Sequence, residues 1–160
     1  MAALLISGTT IHLYLPLIHS KTDEPALGIP VKSIVQGQGE TILLVDDDKS
    51  VLLSTSEVLT SLGYRVLTSE NGIAALELFD EKSADISLVL TDIVMPKMGG
   101  EKLAEAINTR SKTTPIIFST GYDRKESTQH EPAFSHNTIL YKPFSISSLS
   151  QSIHESLQRH

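Results

Sequence analysis

From Thr41 onward, short apolar runs alternate with segments whose apolar residues recur at helical spacing. This alternation restricts the possible fold more than any other feature of the chain. The apolar runs lie at residues 42–45, 64–68, 86–90, 115–119 and 139–141, and helical patterns lie between the first four and after Ser145. Regular alternation of strands with helices predicts an α/β domain built on a parallel sheet that is covered on both faces.

Polar residues with complementary chemistry stand at the ends of four of these predicted strands. They are Asp46 and Asp47 after the first strand, Asp92 after the third, Thr120 at the fourth and Lys142 after the fifth. Because parallel strands end at the same edge of a sheet, folding is expected to bring these side chains together. Crowded carboxylates repel one another, and a hard divalent cation with oxygen ligands, most plausibly Mg²⁺, relieves that repulsion.

The acids after the first strand have a second interpretation, because an acid before a helix can cap it. Asp48 directly precedes the helical pattern and is assigned to that capping role. Asp46 and Asp47 are predicted to bind metal together with Asp92. With a metal, a hydroxyl and a lysine near it, Asp92 is a candidate nucleophile that accepts a phosphoryl group.

Other functions begin from similar residues. A hydrolase that forms an aspartyl-phosphate needs an acid/base aspartate two residues beyond the nucleophile, and Val94 occupies that position. A nucleotide or flavin site favours glycines and hydrogen-bond donors after the first strand, where three consecutive aspartates would repel phosphate unless a metal intervenes. An interaction module of the same fold that works without phosphorylation stays open as an alternative.

Four segments resemble the signatures of the receiver domain of two-component response regulators, in the order found in that family. They are residues 44–48, 91–100, 117–121 and 141–144, and the resemblance extends from about Glu40 to Gln158. It implies a flavodoxin-like α/β fold whose five parallel strands are arranged in the order 2-1-3-4-5. It also implies a domain that catalyses only its own phosphorylation and slow dephosphorylation.

The same resemblance gives each strand-end residue a role. Asp92 would be the phosphoacceptor, and Mg²⁺ would be held by Asp46, Asp47, Asp92 and the backbone carbonyl of Val94. Thr120 would be the switch hydroxyl, and Lys142 would contact the phosphoryl group from a position before a cis Pro143. The implied donor is a histidine kinase or a histidine phosphotransfer protein.

The first 39 residues predict a different organisation. Residues 6–16 are similar to the closing strand of the ATP-binding domain of sensor histidine kinases, so that residues 1–19 are interpreted as one isolated strand of such a domain. Charged residues, glycine and proline dominate residues 20–39, which predicts a linker, and residues 40–160 form the receiver domain. This arrangement looks like the C-terminal end of a hybrid histidine kinase. No kinase activity is expected, because the glycine-rich nucleotide loops are absent from the sequence.

Charge and composition restrict partners and location. Residues 40–160 contain 11 Lys and Arg against 17 Asp and Glu, which predicts that the domain does not bind nucleic acid. The chain has no cysteine, and no basic residue precedes its short apolar start, so we expect a cytoplasmic protein without membrane contact in this region. We expect a monomer or weak dimer.

Three positions depart from the family pattern. Ile139 stands where receivers usually have the aromatic residue that couples to the switch hydroxyl. Val94 and Tyr122 flank the acceptor and the switch hydroxyl, and neither offers a carboxylate or amide to orient an attacking water, which favours slow self-dephosphorylation. The polar segment 121–137 predicts only a short or frayed fourth helix.

Overall fold

A computed structural model describes residues 33–121 and 137–159 as an α/β domain in which strands and helices alternate. In chain order the elements are β1 Thr41–Val45, α1 Lys49–Ser61, β2 Arg65–Ser69, α2 Gly72–Lys82, β3 Ile86–Asp92, α3 Gly100–Arg110, β4 Ile116–Thr120, β5 Thr138–Tyr141 and α4 Ile146–Gln158. All strand pairs are parallel, and the sheet order is β2-β1-β3-β4-β5. The predicted fold class and strand order are therefore confirmed.

Alternating side chains of the sheet separate two hydrophobic cores. Ile42 and Leu44 of β1 face one core, which α1 and α4 cover, whereas Leu43 and Val45 face the other, which α2 and α3 cover. All five residues of β1 are buried, since the strand lies inside the sheet with helices on both sides. The apolar runs at residues 42–45, 86–90 and 115–119 form the central strands of this sheet, and those at residues 64–68 and 139–141 form its two edge strands.

Two helix starts follow local capping chemistry. The Asp48 carboxylate accepts hydrogen bonds from the backbone N–H groups of Ser50 and Val51, and Ser145 accepts one from Ser148. These bonds lower the pKa of Asp48. Asp48 therefore caps α1, as its sequence position predicts, and the metal-binding interpretation is left to its neighbours.

The strand register brings the predicted site residues to one edge of the sheet. Asp92 of β3 lies opposite Ser119 of β4, and Thr120 lies opposite Tyr141 of β5. β3 extends to Asp92 itself, so the acid is the last residue of the strand rather than part of the following loop. The fourth helix predicted in residues 121–137 and the isolated strand predicted in residues 1–19 lie outside the described residues, apart from Gly121 and Asn137.

Residues 33–39, here called the strap, lie against the domain. Gly37 N–H donates to the Leu62 carbonyl at 2.7 Å, and Gly39 N–H donates to the Gly63 carbonyl at 3.1 Å. Farther along the strap, Val35 N–H donates to Ser150 Oγ, and the Gln151 amide donates to the Ser33 carbonyl. The last seven residues of the predicted linker thus hydrogen bond to the end of α1 and to α4.

The strap depends on a close approach at Gly37. A Cβ atom there would overlap the ring of Tyr64, which is only 4% exposed and has a pKa raised by burial and by Glu40.

We expect Gly37→Ala to lower the free energy of unfolding by about 1–3 kcal/mol, because a buried ring and a backbone segment must both shift. Urea unfolding measures this change. Gly121→Ala is the control, since no atom of the described residues, its two chain neighbours apart, lies within 4 Å of the position of an added Cβ. Equal stability of the two variants would contradict the expectation.

No helix among the described residues is long and apolar enough to cross a membrane.

Candidate functional site

Two carboxylates and one ammonium group meet at the carboxyl edge of the sheet. Lys142 Nζ lies 2.7 Å from Asp46 Oδ2 and 2.6 Å from Asp92 Oδ1. The side chains of Asp46, Asp92 and Lys142 are 5%, 12% and 25% exposed, so the group is largely but not completely shielded from water. The structure therefore brings together three residues that are separated by 46 and 50 positions in the sequence.

Backbone groups hold both carboxylates in place. Val94 N–H donates to Asp92 Oδ2 at 2.9 Å, while Asp48 N–H donates to Asp46 Oδ1 at 3.0 Å. The Asp46 N–H in turn donates to the Ser69 carbonyl at the end of β2. Each acid thus has one oxygen on Lys142 and the other on a backbone N–H group, which fixes its orientation.

Burial and charge act in opposite directions on these groups. Burial raises the pKa of Asp92, and the Lys142 ammonium and the Val94 N–H only partly offset that rise. Burial lowers the pKa of Lys142, but hydrogen bonding to Asp46 and Asp92 outweighs it, so that the pKa of Lys142 is raised overall. Lys142 is therefore a cation under all ordinary conditions, and it supplies the positive charge beside Asp92.

The loop that follows Asp92, residues 93–99, is here called the acceptor loop. Its start is fixed because Ile93 N–H donates to the Ser119 carbonyl and Gly100 N–H donates back to the Ile93 carbonyl. Lys97 has a φ of 68°, and Met98 N–H donates to the Pro96 carbonyl, which makes a tight turn. Gly100 is needed where α3 begins, because a Cβ atom there would overlap the Asp92 carbonyl. The loop is thus tightly folded over the strand end.

Thr120, the predicted switch hydroxyl, and Ile139 lie on the neighbouring strands β4 and β5. Thr120 is 3% exposed at the end of β4, and its carbonyl accepts a 2.7 Å hydrogen bond from Lys142 N–H. Ile139 is half-buried on the neighbouring strand and packs against the second core. The Lys142–Pro143 peptide bond is cis, as the resemblance implies.

The donor set suits a hard cation. Asp46 and Asp92 supply carboxylate oxygens, Asp47 is exposed beside them, and Val94 lies two residues past Asp92 with its carbonyl in the acceptor loop. Within residues 33–121 and 137–159, no three His, Cys, Asp or Glu side chains are already grouped as a metal site. Mg²⁺ is commonly bound by one or two carboxylates with waters completing its shell, so the residues present fit this ion.

A supporting turn, residues 69–72, lies between β2 and α2, and the sequence does not reveal its part in the site. The Asn71 side chain accepts from Ala74 N–H and caps α2. What the pattern did not show is that this turn also reaches the acceptor loop, through a hydrogen bond from Gly72 N–H to the Met98 carbonyl. The available signal was the Asn-Gly pair, which indicates a turn but not its tertiary partner.

Comparison with known proteins identifies the family. A sequence profile described as "Response regulator receiver domain" matches residues 42–154. The sensor kinase CckA of Brucella abortus is 30% identical over 158 residues, which are 95% of this chain and 17% of CckA. The receiver protein CpdR of the same organism is 34% identical over 116 residues, 72% of this chain and 95% of CpdR.

Solved structures agree with the sequence comparison. The response regulator TrrA of Thermotoga maritima, solved in complex with Mg²⁺–BeF, has a TM-score of 0.65 and 29% identity, and the match covers 72% of this chain and 97% of TrrA. The chain spans about a sixth of the length of CckA and about a seventh of that of other sensor kinases among its relatives. Fold, site geometry and sequence agree, and the chain belongs to the response regulator receiver domain family of two-component signalling systems.

Proposed function

We propose that Asp92 accepts a phosphoryl group from a phosphohistidine donor and that the domain thereby acts as a signalling switch. The observation that supports this proposal most directly is the approach of Lys142 Nζ to within 2.6 Å of Asp92 Oδ1. A partly buried lysine that touches a strand-end carboxylate provides a cation for the negative charge that phosphorylation adds. The Asp92 side chain keeps 12% of its surface exposed at the sheet edge, and its surroundings limit water.

The proposed phosphoryl transfer needs no reactant other than the phosphohistidine donor and Asp92. An Asp92 carboxylate oxygen forms a bond to phosphorus while the bond between phosphorus and the donor histidine nitrogen breaks, and that nitrogen keeps the electron pair. Asp46, Asp47, Asp92 and the Val94 carbonyl would hold Mg²⁺, which would supply positive charge for the phosphoryl oxygens. The raised pKa of Lys142 keeps its ammonium charged for the same purpose.

The switch itself involves Thr120 and Lys142. A phosphoryl group on Asp92 attracts the Thr120 hydroxyl and the Lys142 ammonium, which shifts a two-state equilibrium on the surface around β4 and β5. Because Ile139 is aliphatic, this chain lacks the aromatic ring that usually responds to the hydroxyl at that position. We infer that the change in surface is smaller than in receivers with that ring.

The relatives support the proposed donor and setting. Sensor kinases such as CckA and RcsC contain regions similar to this chain, so the proposed donor is a histidine kinase or a phosphotransfer protein, in the cytoplasm. The proposal includes no kinase activity in this chain, no nucleic-acid contact, and a monomer or weak dimer. The side chain at Val94 is 57% exposed and aliphatic, which supports slow loss of the phosphoryl group, over minutes rather than seconds.

Intact-mass analysis tests the proposal. The protein is incubated with a small phosphodonor in Mg²⁺ or in EDTA, and the modified residue is then located by peptide mapping. We expect a single phosphoryl adduct on Asp92 in Mg²⁺ only, which persists for minutes. An adduct on another residue would contradict the proposed acceptor. Absence of both adduct and Mg²⁺ binding would favour a phosphorylation-independent interaction module.

A further inference from the structure

The turn between β2 and α2, residues 69–72, contacts both Asp46 and the acceptor loop, although it contains none of the predicted site residues. On one side, the Ser69 carbonyl accepts a 3.2 Å hydrogen bond from Asp46 N–H. On the other, Gly72 N–H donates a 3.2 Å hydrogen bond to the Met98 carbonyl of the acceptor loop. Inside the turn, Ser69 Oγ donates to the Asn71 carbonyl at 3.1 Å, which ties the two contacts together.

The contact at Gly72 has no room for a side chain. A Cβ atom there would lie 2.6 Å from the Met98 carbonyl oxygen and 2.8 Å from Met98 Cγ. The oxygen belongs to the backbone, so it can move only if the acceptor loop moves with it. Helix propensity does not explain a glycine here, because alanine is the better residue in the first turn of a helix. The glycine is therefore explained by the approach of the loop.

A displacement at Met98 is transmitted to the proposed cation ligand. Met98 N–H donates to the Pro96 carbonyl at 2.8 Å, so Met98 and Pro96 move together. The start of the loop is fixed by the hydrogen bonds of Ile93, and Val94 lies between that fixed point and Pro96. Val94 and Met95 are the residues between that fixed start and Pro96, so a shift of Pro96 acts on them first, and Met95 is buried in the second core.

We propose that Gly72 is a positioning residue for divalent-cation binding, because its contact with Met98 sets the place of the Val94 carbonyl. This inference rests on the proposed function, in which that carbonyl binds Mg²⁺. Removal of a residue that supports a metal ligand commonly weakens metal affinity by about 10- to 100-fold. Gly72 would act from outside the ligand set, together with Ser69, which supports Asp46 from the other side of the same turn.

The experiment compares Mg²⁺ binding by wild type and Gly72→Ala, measured by calorimetry at a temperature where circular dichroism shows both to be folded. We expect the dissociation constant to rise about tenfold in the variant. The rate of phosphorylation by a small phosphodonor should recover to within about threefold of wild type when Mg²⁺ is raised to saturation, because the defect is in cation affinity. Ile73→Ala is the matched control, since it changes the same helical turn at a side chain that is 43% exposed. Unchanged Mg²⁺ affinity in folded Gly72→Ala would overturn the inference.

A second measurement uses the wild type alone, in case Gly72→Ala does not fold. If the turn and the cation site are coupled, Mg²⁺ must slow hydrogen exchange of the Gly72 N–H, because coupling between two sites is reciprocal. The Gly37 N–H, which is bonded to Leu62, is the internal reference. Equal slowing of both amides, or of neither, would overturn the inference. Failure of the wild type to bind Mg²⁺ would overturn both this inference and the proposed cation site, whereas binding with unaltered Gly72 exchange overturns only the inference.

Discussion

Asp92→Asn is expected to abolish phosphoryl transfer while leaving the domain folded. The amide keeps the shape of the carboxylate but has no anionic oxygen to attack phosphorus. Burial raises the pKa of Asp92, so the charged form is less favourable in the folded protein than in the unfolded chain. The contribution of Asp92 to the free energy of unfolding is fully present below the pKa that this carboxyl has in the unfolded chain. It is lost as the pH rises through the higher pKa that the carboxyl has in the folded protein. At neutral pH the asparagine variant should therefore be at least as stable as wild type.

Intact mass after incubation with Mg²⁺ and a phosphodonor measures the transfer, and urea unfolding at pH 7 and pH 4 measures the stability. The matched control is Asp85→Asn, an exposed acid in the turn before β3, which should keep the full adduct. An adduct that persists on Asp92→Asn would place the acceptor elsewhere. If the variant loses the adduct only because it is unfolded, circular dichroism will show this. That result would contradict the expectation that Asp92→Asn is at least as stable as wild type.

Lys142→Met is expected to lower the free energy of unfolding in the absence of divalent cations by about 2 kcal/mol. The methionine keeps most of the stem but removes the only ammonium that contacts Asp46 and Asp92 among the described residues. Two shielded carboxylates then face each other without a shared cation, and removal of one partner from a fully buried ion pair costs about 3–5 kcal/mol. We reduce this value because the lysine side chain is 25% exposed.

Mg²⁺ should restore much of this loss, because a cation that binds the two carboxylates in the folded state would supply the missing positive charge. Urea unfolding in EDTA and in Mg²⁺ measures both effects. Lys49→Met is the control: its ion pair with Glu70 joins side chains that are 78% and 55% exposed, and its loss should cost less than about 0.5 kcal/mol. If Lys142→Met and Lys49→Met lose equal stability, Lys142 does not hold the acid pair together.

Most of the fold could be predicted because its signals are local. The apolar run at residues 42–45 and the capping residues Asp48 and Ser145 are visible in the sequence, and the structure uses them as β1 and as the starts of α1 and α4. The convergence of Asp46, Asp92 and Lys142 was also predictable, since parallel strands end at one edge of the sheet.

What could not be predicted depends on contacts between distant segments. The composition of residues 20–39 favours a linker, yet Gly37 lies against Tyr64 and Gly63, which is a tertiary contact without a local pattern. Gly72 likewise reads as part of an Asn-Gly turn, whereas its space is determined by Met98 of another loop. The ion pairs that Lys142 makes with both acids could not be predicted either, because they depend on distances between side chains. Strand order alone does not determine those distances.

The strap also determines where a pulling force on the N-terminal side of the domain would be borne. Tension at Ser33 would act first on its hydrogen bond with Gln151 and on that between Val35 and Ser150, and next on the backbone bonds of Gly37 and Gly39. Only after these bonds had separated would load reach β1, whose position between β2 and β3 holds Asp46. A force on Ser33 thus meets four hydrogen bonds of the strap before it acts on β1 and on the acid that follows it.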